Sequence, residues 1–264
     1  MPSTTEKMIA KKDGNIGWMI FNQPEKLNAV SYEMWQAVPE IMGDYVADDK
    51  IRVVVVTGAG RKAFVSGADI SEFEEKRNSK EAIEIYNAAG TAAHHALAGC
   101  PKPTIAMIQG YCIGGGLAVA LDCDLRIAAE GSRFGVPAAK LGLGYGYDGI
   151  ARLAGLVNPA RAKEIFFTAR QFSGEEALGM GLINRLVPPT VLDAYVRDYA
   201  ATIGGNAPLT VAAAKLAVRE YLKDPAERDL AAVQAAVDTC FASEDYVEGR
   251  TAFMEKRRPA FKGR

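Results

Sequence analysis

Four consecutive valines, Val53 to Val56, restrict the possible folds of this chain more than any other segment. Gly58 and Gly60 follow soon after, so the run has the length of a single strand. An unbroken series of β-branched residues is typical of a strand that is buried on both faces, as in a parallel sheet covered by helices. The valine run therefore predicts a sheet with helices packed against it.

Strand-like and helix-like segments alternate on both sides of the valine run. Before it, the sequence predicts two strands around a turn at 13–15, and then a helix that Ser31 caps and that runs towards Asp48. The other predicted elements are a helix over 80–98, strands over 104–108 and 124–128, and a glycine-initiated helix over 117–121. Alternating strands and helices predict an α/β fold with largely parallel strands.

The pattern changes near residue 190, beyond which only helical spacing is found. The predicted helices cover 190–204, 208–223, 226–241 and 243–257, with proline or glycine between successive helices. We therefore predict two parts. Residues 1–200 form an α/β core that carries the binding and active sites, and residues 201–264 form a helical region.

The composition excludes several classes of protein. Lys and Arg total 31 against 32 Asp and Glu, a formal net charge of -1, which argues against a nucleic-acid-binding protein. No apolar run reaches about 18 residues, so no membrane span is predicted. His94 and His95 are the only histidines, and adjacent helical residues point to different faces, so we expect no metal site from them.

The four cysteines, at 100, 112, 123 and 240, form no CxxC pair. Zinc-ribbon and thioredoxin-like sites are therefore not expected. Apolar neighbours favour reduced, buried thiols, which are typical of a cytosolic protein. The first residues also lack the apolar segment of a signal peptide, so we predict a cytoplasmic location.

Two segments rich in small residues, 62–70 and 109–117, form turns at the ends of predicted strands. Such turns leave backbone N–H groups unpaired and let a ligand approach closely. The second turn also opens a helix, whose N-terminus favours negative charge. Two such donors aimed at one point would form an oxyanion hole for a thioester enolate. The alternative is that both are ordinary tight turns.

Both turns belong to a set of motifs through which the chain resembles the crotonase superfamily, the enoyl-CoA hydratase/isomerase family, over nearly its full length. The matching segments are 23–29 (QPEKLNA), 66–70 (SGADI), 102–103, 110–116, 123–124, 134–135, 177–184 (ALGMGLIN) and 253–261 (FMEKRRPAF). The resemblance implies a spiral of ββα units and a helical C-terminal trimerisation region. It also implies an acyl-CoA substrate, with coenzyme A as part of the substrate rather than a separate cofactor, and a homotrimer or a dimer of trimers.

The resemblance also implies particular site residues. It places the oxyanion donors at the N–H groups of Ala68 and Gly115. It implies contacts to coenzyme A at Lys26, Leu27, Ser66, Gly67, Ala68, Asp69, Ile70 and Gly114, and from a neighbouring subunit at Phe253 and Lys256. The alternative for Lys256 is a solvated helix end. Asp69 is expected to hold its loop by accepting backbone N–H bonds.

Two positions depart from the pattern of the family's hydratases. Those enzymes carry a glutamate two residues after the glycine triplet and another after the proline that follows the Phe-Gly pair. Here the two positions are Ala118 and Ala138. Alanine cannot transfer a proton, a function worth about 100- to 10,000-fold in rate. The substitutions argue against a plain hydratase and against the common single-glutamate isomerase.

The loop 143–149 (LGYGYDG) carries two residues that could replace the missing glutamates. Tyr145 aligns with a tyrosine of the methylmalonyl-CoA decarboxylase branch, and decarboxylation needs no strong base. Asp148 is the nearest carboxylate on this loop and a candidate base. The alternatives are a packed loop tyrosine and, for Asp148, an N-cap of the following helix.

These observations predict a lyase or isomerase acting on acyl-CoA thioesters. We rank first decarboxylation of a malonyl-type acyl-CoA, or another enolate step without a glutamate base. Isomerisation or hydration with relocated acid–base groups comes second, and thioester hydrolysis third. A non-catalytic acyl-CoA binder is the rival outside the enzymes, since it would keep both glycine turns and lack acid–base residues.

Overall fold

A computed structural model of the protein describes residues 5–72, 76 and 78–264. Within these residues the strands form two sheets, of six and four strands. The larger sheet contains, in spatial order, β1 (Met8–Asp13), β2 (Ile16–Phe21), β3 (Val53–Gly58), β5 (Thr104–Ile108), β7 (Leu125–Ala129) and β10 (Arg185–Val187). The smaller contains β4 (Ala63–Val65), β6 (Tyr111–Ile113), β8 (Arg133–Gly135) and β9 (Phe172–Ser173).

Helices cover both faces of the larger sheet and make up most of the C-terminal part. Those described are α1 (Tyr32–Ala47), α2 (Lys80–Ala98), α3 (Gly115–Asp122), α4 (Tyr147–Val157), α5 (Pro159–Thr168), α6 (Gly174–Gly179), α7 (Leu192–Gly204), α8 (Pro208–Tyr221), α9 (Leu230–Ala242) and α10 (Glu244–Met254). Short 3-10 turns lie at Pro24–Lys26, Ile70–Glu72, Pro137–Lys140 and Pro225–Glu227.

The valine run forms the buried strand β3, as predicted. All four valines have 0% exposure, and β3 pairs in parallel with β2 on one side and β5 on the other. Side chains of alternate valines enter separate cores, with Val54 and Val56 in one and Val53 and Val55 in the other. The predicted α/β class is therefore confirmed.

The strands follow the spiral that the resemblance implies. From β3 onward, successive turns of the chain contribute one strand to the larger sheet and the next strand to the smaller sheet, and then a helix. This order occurs as β3–β4–α2 and again as β5–β6–α3. The strands β4, β6 and β8 have three residues each, which is too short for a periodic pattern, and the sequence analysis does not separate them from the glycine turns.

The helix α1 begins where the sequence predicts. The Ser31 hydroxyl accepts a hydrogen bond from the Met34 N–H at 3.4 Å, and the helix ends at Ala47. Its inner face, which includes Val38 and Ile41, is buried in the larger core. This packing fixes the start of α1, which lies beside the loop that contains Ala68.

The C-terminal helices confirm the predicted helical spacing and expose much apolar surface. The helix α7 packs Val196 and Ala200 against the larger sheet. The predicted division between residues 200 and 201 falls inside this helix, and as a domain boundary it stays a prediction. Helices α8, α9 and α10 line an apolar groove of about 1200 Å³, and Phe241 at its side is 61% exposed. Trimerisation stays a prediction.

The cysteines are free, and three of them (Cys100, Cys112 and Cys123) are buried, as predicted, whereas Cys240 is half-buried. Burial raises the pKa of the Cys123 thiol to about 12, so this thiol stays protonated at neutral pH. In the described part of the chain, no helix is both long and apolar enough to cross a membrane.

Candidate active site

A buried asparagine shapes the loop next to Ala68. Leu27 and Asn28 both adopt left-handed backbone conformations, with φ of 54° and 55°. The Asn28 Nδ2 donates to the carbonyl oxygens of Ala59 at 2.9 Å and Ala63 at 2.8 Å, and its Oδ1 accepts from the Gln23 N–H at 2.9 Å. Because Asn28 is fully buried, these bonds fix the turn that carries Lys26 and Leu27.

The same turn holds the segment 66–69 in place. The Ser66 N–H donates to the Leu27 carbonyl at 3.2 Å. Val30 N–H donates to the Gly67 carbonyl at 2.8 Å, and Asp69 N–H donates to the Val30 carbonyl at 2.9 Å. The two segments, which lie far apart in the sequence, therefore form one rigid surface.

Asp69 closes this loop as expected from the sequence. Its Oδ1 accepts from the Ser71 N–H at 3.0 Å and from the Ser71 hydroxyl, and its Oδ2 contacts the Lys26 Nζ at 2.8 Å. Burial raises the pKa of the Asp69 carboxyl, but the hydrogen bonds from Lys26 and Ser71 outweigh burial and leave the pKa below its usual value. The Lys26 side chain is 47% exposed, so its ammonium group also remains accessible to an anion.

The second glycine turn leads directly into α3. Gly114 has a φ of 55°, a left-handed value that favours glycine, and its N–H donates to the Gly135 carbonyl at 2.8 Å. At Gly116, a Cβ would lie 2.0 Å from the Val65 carbonyl oxygen, so only glycine fits. The close contact presses the start of α3 against β4 and the loop that contains Ala68.

The predicted pair of donors is brought together by this packing. A Cβ added to Gly115 would lie 3.7 Å from the Ala68 nitrogen. Among the described residues, neither the Ala68 N–H nor the Gly115 N–H donates a hydrogen bond. Two unpaired donors on adjoining backbone segments are the arrangement that an oxyanion hole requires, and the positive end of the α3 dipole would add to their effect.

The predicted acid–base residues occupy different surroundings. The Tyr145 ring packs edge-on against Phe166, with 5.0 Å between ring centroids, and lies close to Gly149. Burial raises the pKa of the Tyr145 hydroxyl, so the group stays protonated. Asp148 is exposed in the first turn of α4, and its alternative reading as an N-cap is wrong because Gly146 is the N-cap. The proposed catalytic roles of both residues stay predictions.

The two residues predicted to contact coenzyme A of a neighbouring subunit, Phe253 and Lys256, are exposed on the C-terminal region. Phe253 is 82% exposed at the edge of the apolar groove. Lys256 is exposed just after α10, with a left-handed φ of 54°. Ile70 in the coenzyme A loop is 63% exposed. The predicted contacts of these three residues with coenzyme A stay predictions.

Sequence reasoning missed a buried polar cluster that joins three helices. Asp122, at the end of α3, has a side chain that is only 1% exposed. One of its carboxylate oxygens lies 2.5 Å from the His94 Nδ1 of α2, and the other contacts the Arg152 guanidinium of α4. The His94 ring also packs against Trp35, with 5.2 Å between ring centroids and a tilt of 44°. One indication in the sequence that Asp122 belongs near the site is that it follows Ala118 by one helical turn.

The surroundings of His94 keep its ring neutral. Burial and the Arg152 guanidinium lower the pKa of His94 to about 4, although the Asp122 carboxylate favours the charged form. In the described part of the chain, no three His, Cys, Asp or Glu side chains form a group that could hold a metal ion. The cluster is therefore a hydrogen-bonded His94–Asp122 pair, in which the Arg152 guanidinium contacts the second oxygen of the carboxylate.

Comparison with known proteins agrees with this architecture. Residues 11–264 match the family model described as enoyl-CoA hydratase/isomerase. The chain is 36% identical over 258 residues to the short-chain-enoyl-CoA hydratase of Clostridium acetobutylicum, an alignment that covers 97% of this chain and 98% of the relative. The chain belongs to the enoyl-CoA hydratase/isomerase family. The predicted resemblance is thereby confirmed.

Other relatives in the enoyl-CoA hydratase/isomerase family are equally well covered. The crotonyl-CoA hydratase of Syntrophomonas wolfei is 34% identical over 256 residues, covering 97% of this chain and 98% of the relative. The crystal structure of an enoyl-CoA hydratase/carnithine racemase from Magnetospirillum magneticum has a TM-score of 0.91 at 35% identity, covering 99% of this chain and 97% of that one. The ββα spiral is therefore the family fold.

The positions of the hydratase glutamates carry no acid–base group in this family member. Ala118 is half-buried on α3, and Ala138 is 5% exposed in the 3-10 turn Pro137–Lys140. The unpaired donors of Ala68 and Gly115 are present while the two carboxylates are absent. A reaction at this site must therefore take its proton-transfer group from another residue or do without one.

Proposed function

We propose that this chain is a lyase or isomerase that binds an acyl-CoA thioester and forms its enolate between the Ala68 and Gly115 N–H groups. The observation that carries the proposal is the pair of unpaired backbone donors, which lie close together because α3 begins at Gly115, beside Ala68. A thioester oxygen gains negative charge as the enolate forms, and one preorganised donor stabilises that charge by about 3 kcal/mol.

The rigid turn at 26–30 supports binding of the coenzyme A portion in the same cleft. Lys26 presents a half-exposed ammonium group beside the loop that contains Ala68. The backbone of Leu27 and Ser66 lies within hydrogen-bonding distance of each other, so both follow the same edge of the site. A thioester held along this edge would have its carbonyl near the donors.

Hydration or isomerisation of an enoyl-CoA is the reaction that we favour. Both curated relatives described above are named as hydratases of enoyl-CoA thioesters. Because Ala118 and Ala138 cannot transfer protons, the reaction requires another acid–base group, and the His94–Asp122 pair is available. This pair raises hydration and isomerisation above decarboxylation, which needs no strong base.

Decarboxylation of a malonyl-type acyl-CoA is the second candidate. It is favoured by Tyr145, whose hydroxyl stays protonated and could donate a hydrogen bond to a substrate carboxylate. The two candidates share the enolate and differ in how it is formed.

Mass spectrometry of purified protein with a mixed panel of acyl-CoAs separates these functions. The panel contains crotonyl-CoA, a 3-enoyl-CoA, methylmalonyl-CoA and ethylmalonyl-CoA. We expect the wild type to add one water to crotonyl-CoA, or to convert the 3-enoyl-CoA to the conjugated isomer as followed by absorbance, and Gly115→Ala to do so much more slowly.

Two other results would change the assignment. Loss of carbon dioxide from a malonyl-type thioester, weakened in Tyr145→Phe, would select decarboxylation. Binding of several acyl-CoAs without turnover of any would contradict catalysis and favour a non-catalytic binder.

We further propose that the enzyme is a cytoplasmic homotrimer or dimer of trimers. The apolar groove and the exposed apolar residues on α9 and α10 favour coverage by a second copy of the chain. The free, largely buried cysteines favour a reducing compartment. Light scattering of the purified protein measures the assembly directly, and a monomeric mass would contradict it.

A further inference from the structure

The contacts of His94 determine which of its ring nitrogens is free. The Asp122 carboxylate is flanked by the Arg152 guanidinium, so it is ionised and can only accept hydrogen bonds. The His94 Nδ1, 2.5 Å away, must therefore carry the hydrogen. In a neutral imidazole the Nε2 then holds a lone pair and can accept a proton.

The His94 side chain is held by two neighbours and remains partly exposed. Asp122 binds the Nδ1 and the Trp35 ring packs against the imidazole at a tilt of 44°, yet 30% of the side chain remains exposed. Among the described residues, no hydrogen bond is made by Nε2. The ring is thus anchored at one nitrogen and open at the other.

One route along the structure connects His94 to the oxyanion donors through α3. Gly115, Ala118 and Asp122 are spaced at i, i+3 and i+7, so they form one stripe on this helix. Asp122 lies about 6 Å along the axis from Ala118, at 1.5 Å per residue. His94 is hydrogen-bonded to the end of this stripe, and the only side chain on the stripe between Gly115 and Asp122 is the methyl group of Ala118.

A second route reaches His94 from the loop that contains Ala68. Val30 exchanges backbone hydrogen bonds with Gly67 and Asp69, and α1 begins two residues later. Trp35, whose ring packs against His94, is in the first turn of that helix. His94 therefore contacts both α3, which begins at Gly115, and α1, which begins beside the loop that contains Ala68.

We propose that the His94 Nε2 is the proton-transfer group of this site, replacing the carboxylates that are absent at 118 and 138, with Asp122 and Arg152 as positioning residues. The proposal rests on the enolate function proposed above and names the residue that completes it. Asp122 fixes the ring tautomer, and Arg152 holds the Asp122 carboxylate in its ionised form.

The hydration step balances with His94 as the only acid–base group. The Nε2 accepts a proton from water while the water oxygen bonds to C3 of the enoyl thioester. The C2–C3 π electrons move to C2 and the carbonyl oxygen, which forms the enolate between the two backbone donors. The imidazolium then returns a proton to C2, the carbonyl re-forms, and the ring is neutral again.

The charged groups around His94 give the proposal a pH signature. Asp122 faces the ring from α3 and Arg152 from α4, while α1 contributes the uncharged Trp35. With the pKa of His94 near 4, the base is neutral at higher pH, and proton transfer should decline only as pH falls towards that value. Burial, the larger cause of the lowered pKa, remains in Arg152→Gln, but the lowering cation is lost, so the declining limb should move part of the way from about 4 towards higher pH.

Exchange of α-protons in D2O measures the proposed step without requiring the full reaction. Butyryl-CoA lacks a double bond and cannot be hydrated, so deuterium uptake at C2 reports enolate formation alone. We expect wild-type exchange to fall by about 100-fold or more in His94→Gln, the size of a lost general base. Binding of butyryl-CoA should remain, and added imidazole should partly restore exchange in His94→Ala.

His95→Gln is the matched control, because His95 is the exposed neighbour on the same helix. It should exchange at the wild-type rate. Circular dichroism of each variant at each pH checks that a loss of exchange does not reflect unfolding.

The outcomes separate the inference from the function on which it rests. Wild-type exchange that persists unchanged in His94→Gln would overturn the role of His94 and leave the enolate site standing. A declining limb that does not move in Arg152→Gln would also contradict the proposal. Absence of both exchange and turnover in the wild type would overturn the proposed function and the inference together.

Discussion

Replacing Gly115 by alanine should separate catalysis from folding. The added Cβ would lie 3.7 Å from the Ala68 nitrogen and 3.8 Å from the Gly67 carbonyl carbon, which are ordinary van der Waals distances. The backbone at Gly115 is helical, so alanine fits its conformation. Alanine is more favourable than glycine by about 0.5–1 kcal/mol in a helix interior and by less at the first helical residue, so the variant should be about as stable as the wild type.

The same methyl group should interfere with catalysis. The added Cβ would lie beside the Ala68 nitrogen, so we expect the thioester oxygen to lose its hydrogen bond from one of the two donors. Losing one such donor costs about 3 kcal/mol of transition-state stabilisation. At 1.36 kcal/mol per tenfold change, kcat should fall by roughly 150-fold, whereas KM should change much less.

Steady-state kinetics on the substrate found in the acyl-CoA panel, together with thermal unfolding, measures both effects. Gly43→Ala in α1 is the matched control, because no atom lies within 4 Å of its added Cβ. It should change stability in the same direction and leave kcat unchanged. A Gly115→Ala enzyme with wild-type kcat would refute the assigned donor. Gly116→Ala should instead fail to fold stably, because its Cβ would meet the Val65 carbonyl oxygen at 2.0 Å.

Three other predictions concern the loop and the assembly. Asn28→Ala should lower the free energy of unfolding by about 3 kcal/mol, about 1 for each of the three hydrogen bonds lost, and a urea midpoint equal to the wild type would contradict this. The lowered pKa of Asp69 stabilises the fold above the carboxyl's unfolded pKa of about 3.9, and this contribution is lost as pH falls through the folded pKa. Lys26→Met should therefore lose stability at about pH 7 and show a smaller further loss on acidification, and an unchanged urea-unfolding profile would argue against the ion pair. Phe241→Asp should reduce the mass measured by light scattering without changing the circular dichroism, and an unchanged oligomer would exclude the α9 face as an interface.

Local patterns predicted the elements that carry strong signals. The helix over 80–98 is found at those bounds, and Ser31 caps α1 as expected. Such elements are specified by apolar spacing and capping within one segment. The small sheet was less predictable, because β6 and β8 each have three residues and form only when successive turns of the spiral stack. The spiral itself was expected from the family resemblance rather than from any local pattern.

Some residues of the candidate site could likewise be predicted from the sequence, and others could not. The glycine turns that bear Ala68 and Gly115 could be recognised in the sequence, because small residues at strand ends are a local signal. The pairing of His94 with Asp122 could not, since 28 residues separate them and helix spacing alone gives no partner. Helical spacing argued against a metal site at His94 and His95 but did not indicate that His94 is joined to a carboxylate on another helix.

The carbonyl of a bound thioester tests the central claim most directly. Butyryl-CoA labelled with carbon-13 at the carbonyl would be bound to the wild type and to Gly115→Ala, and its carbonyl stretching frequency recorded by isotope-edited infrared spectroscopy. Two hydrogen bonds from Ala68 and Gly115 polarise the bond, so the frequency should fall on binding to the wild type and fall much less in the variant. A bound thioester whose frequency in the wild type equals that in water, or equals that in Gly115→Ala, would contradict the account.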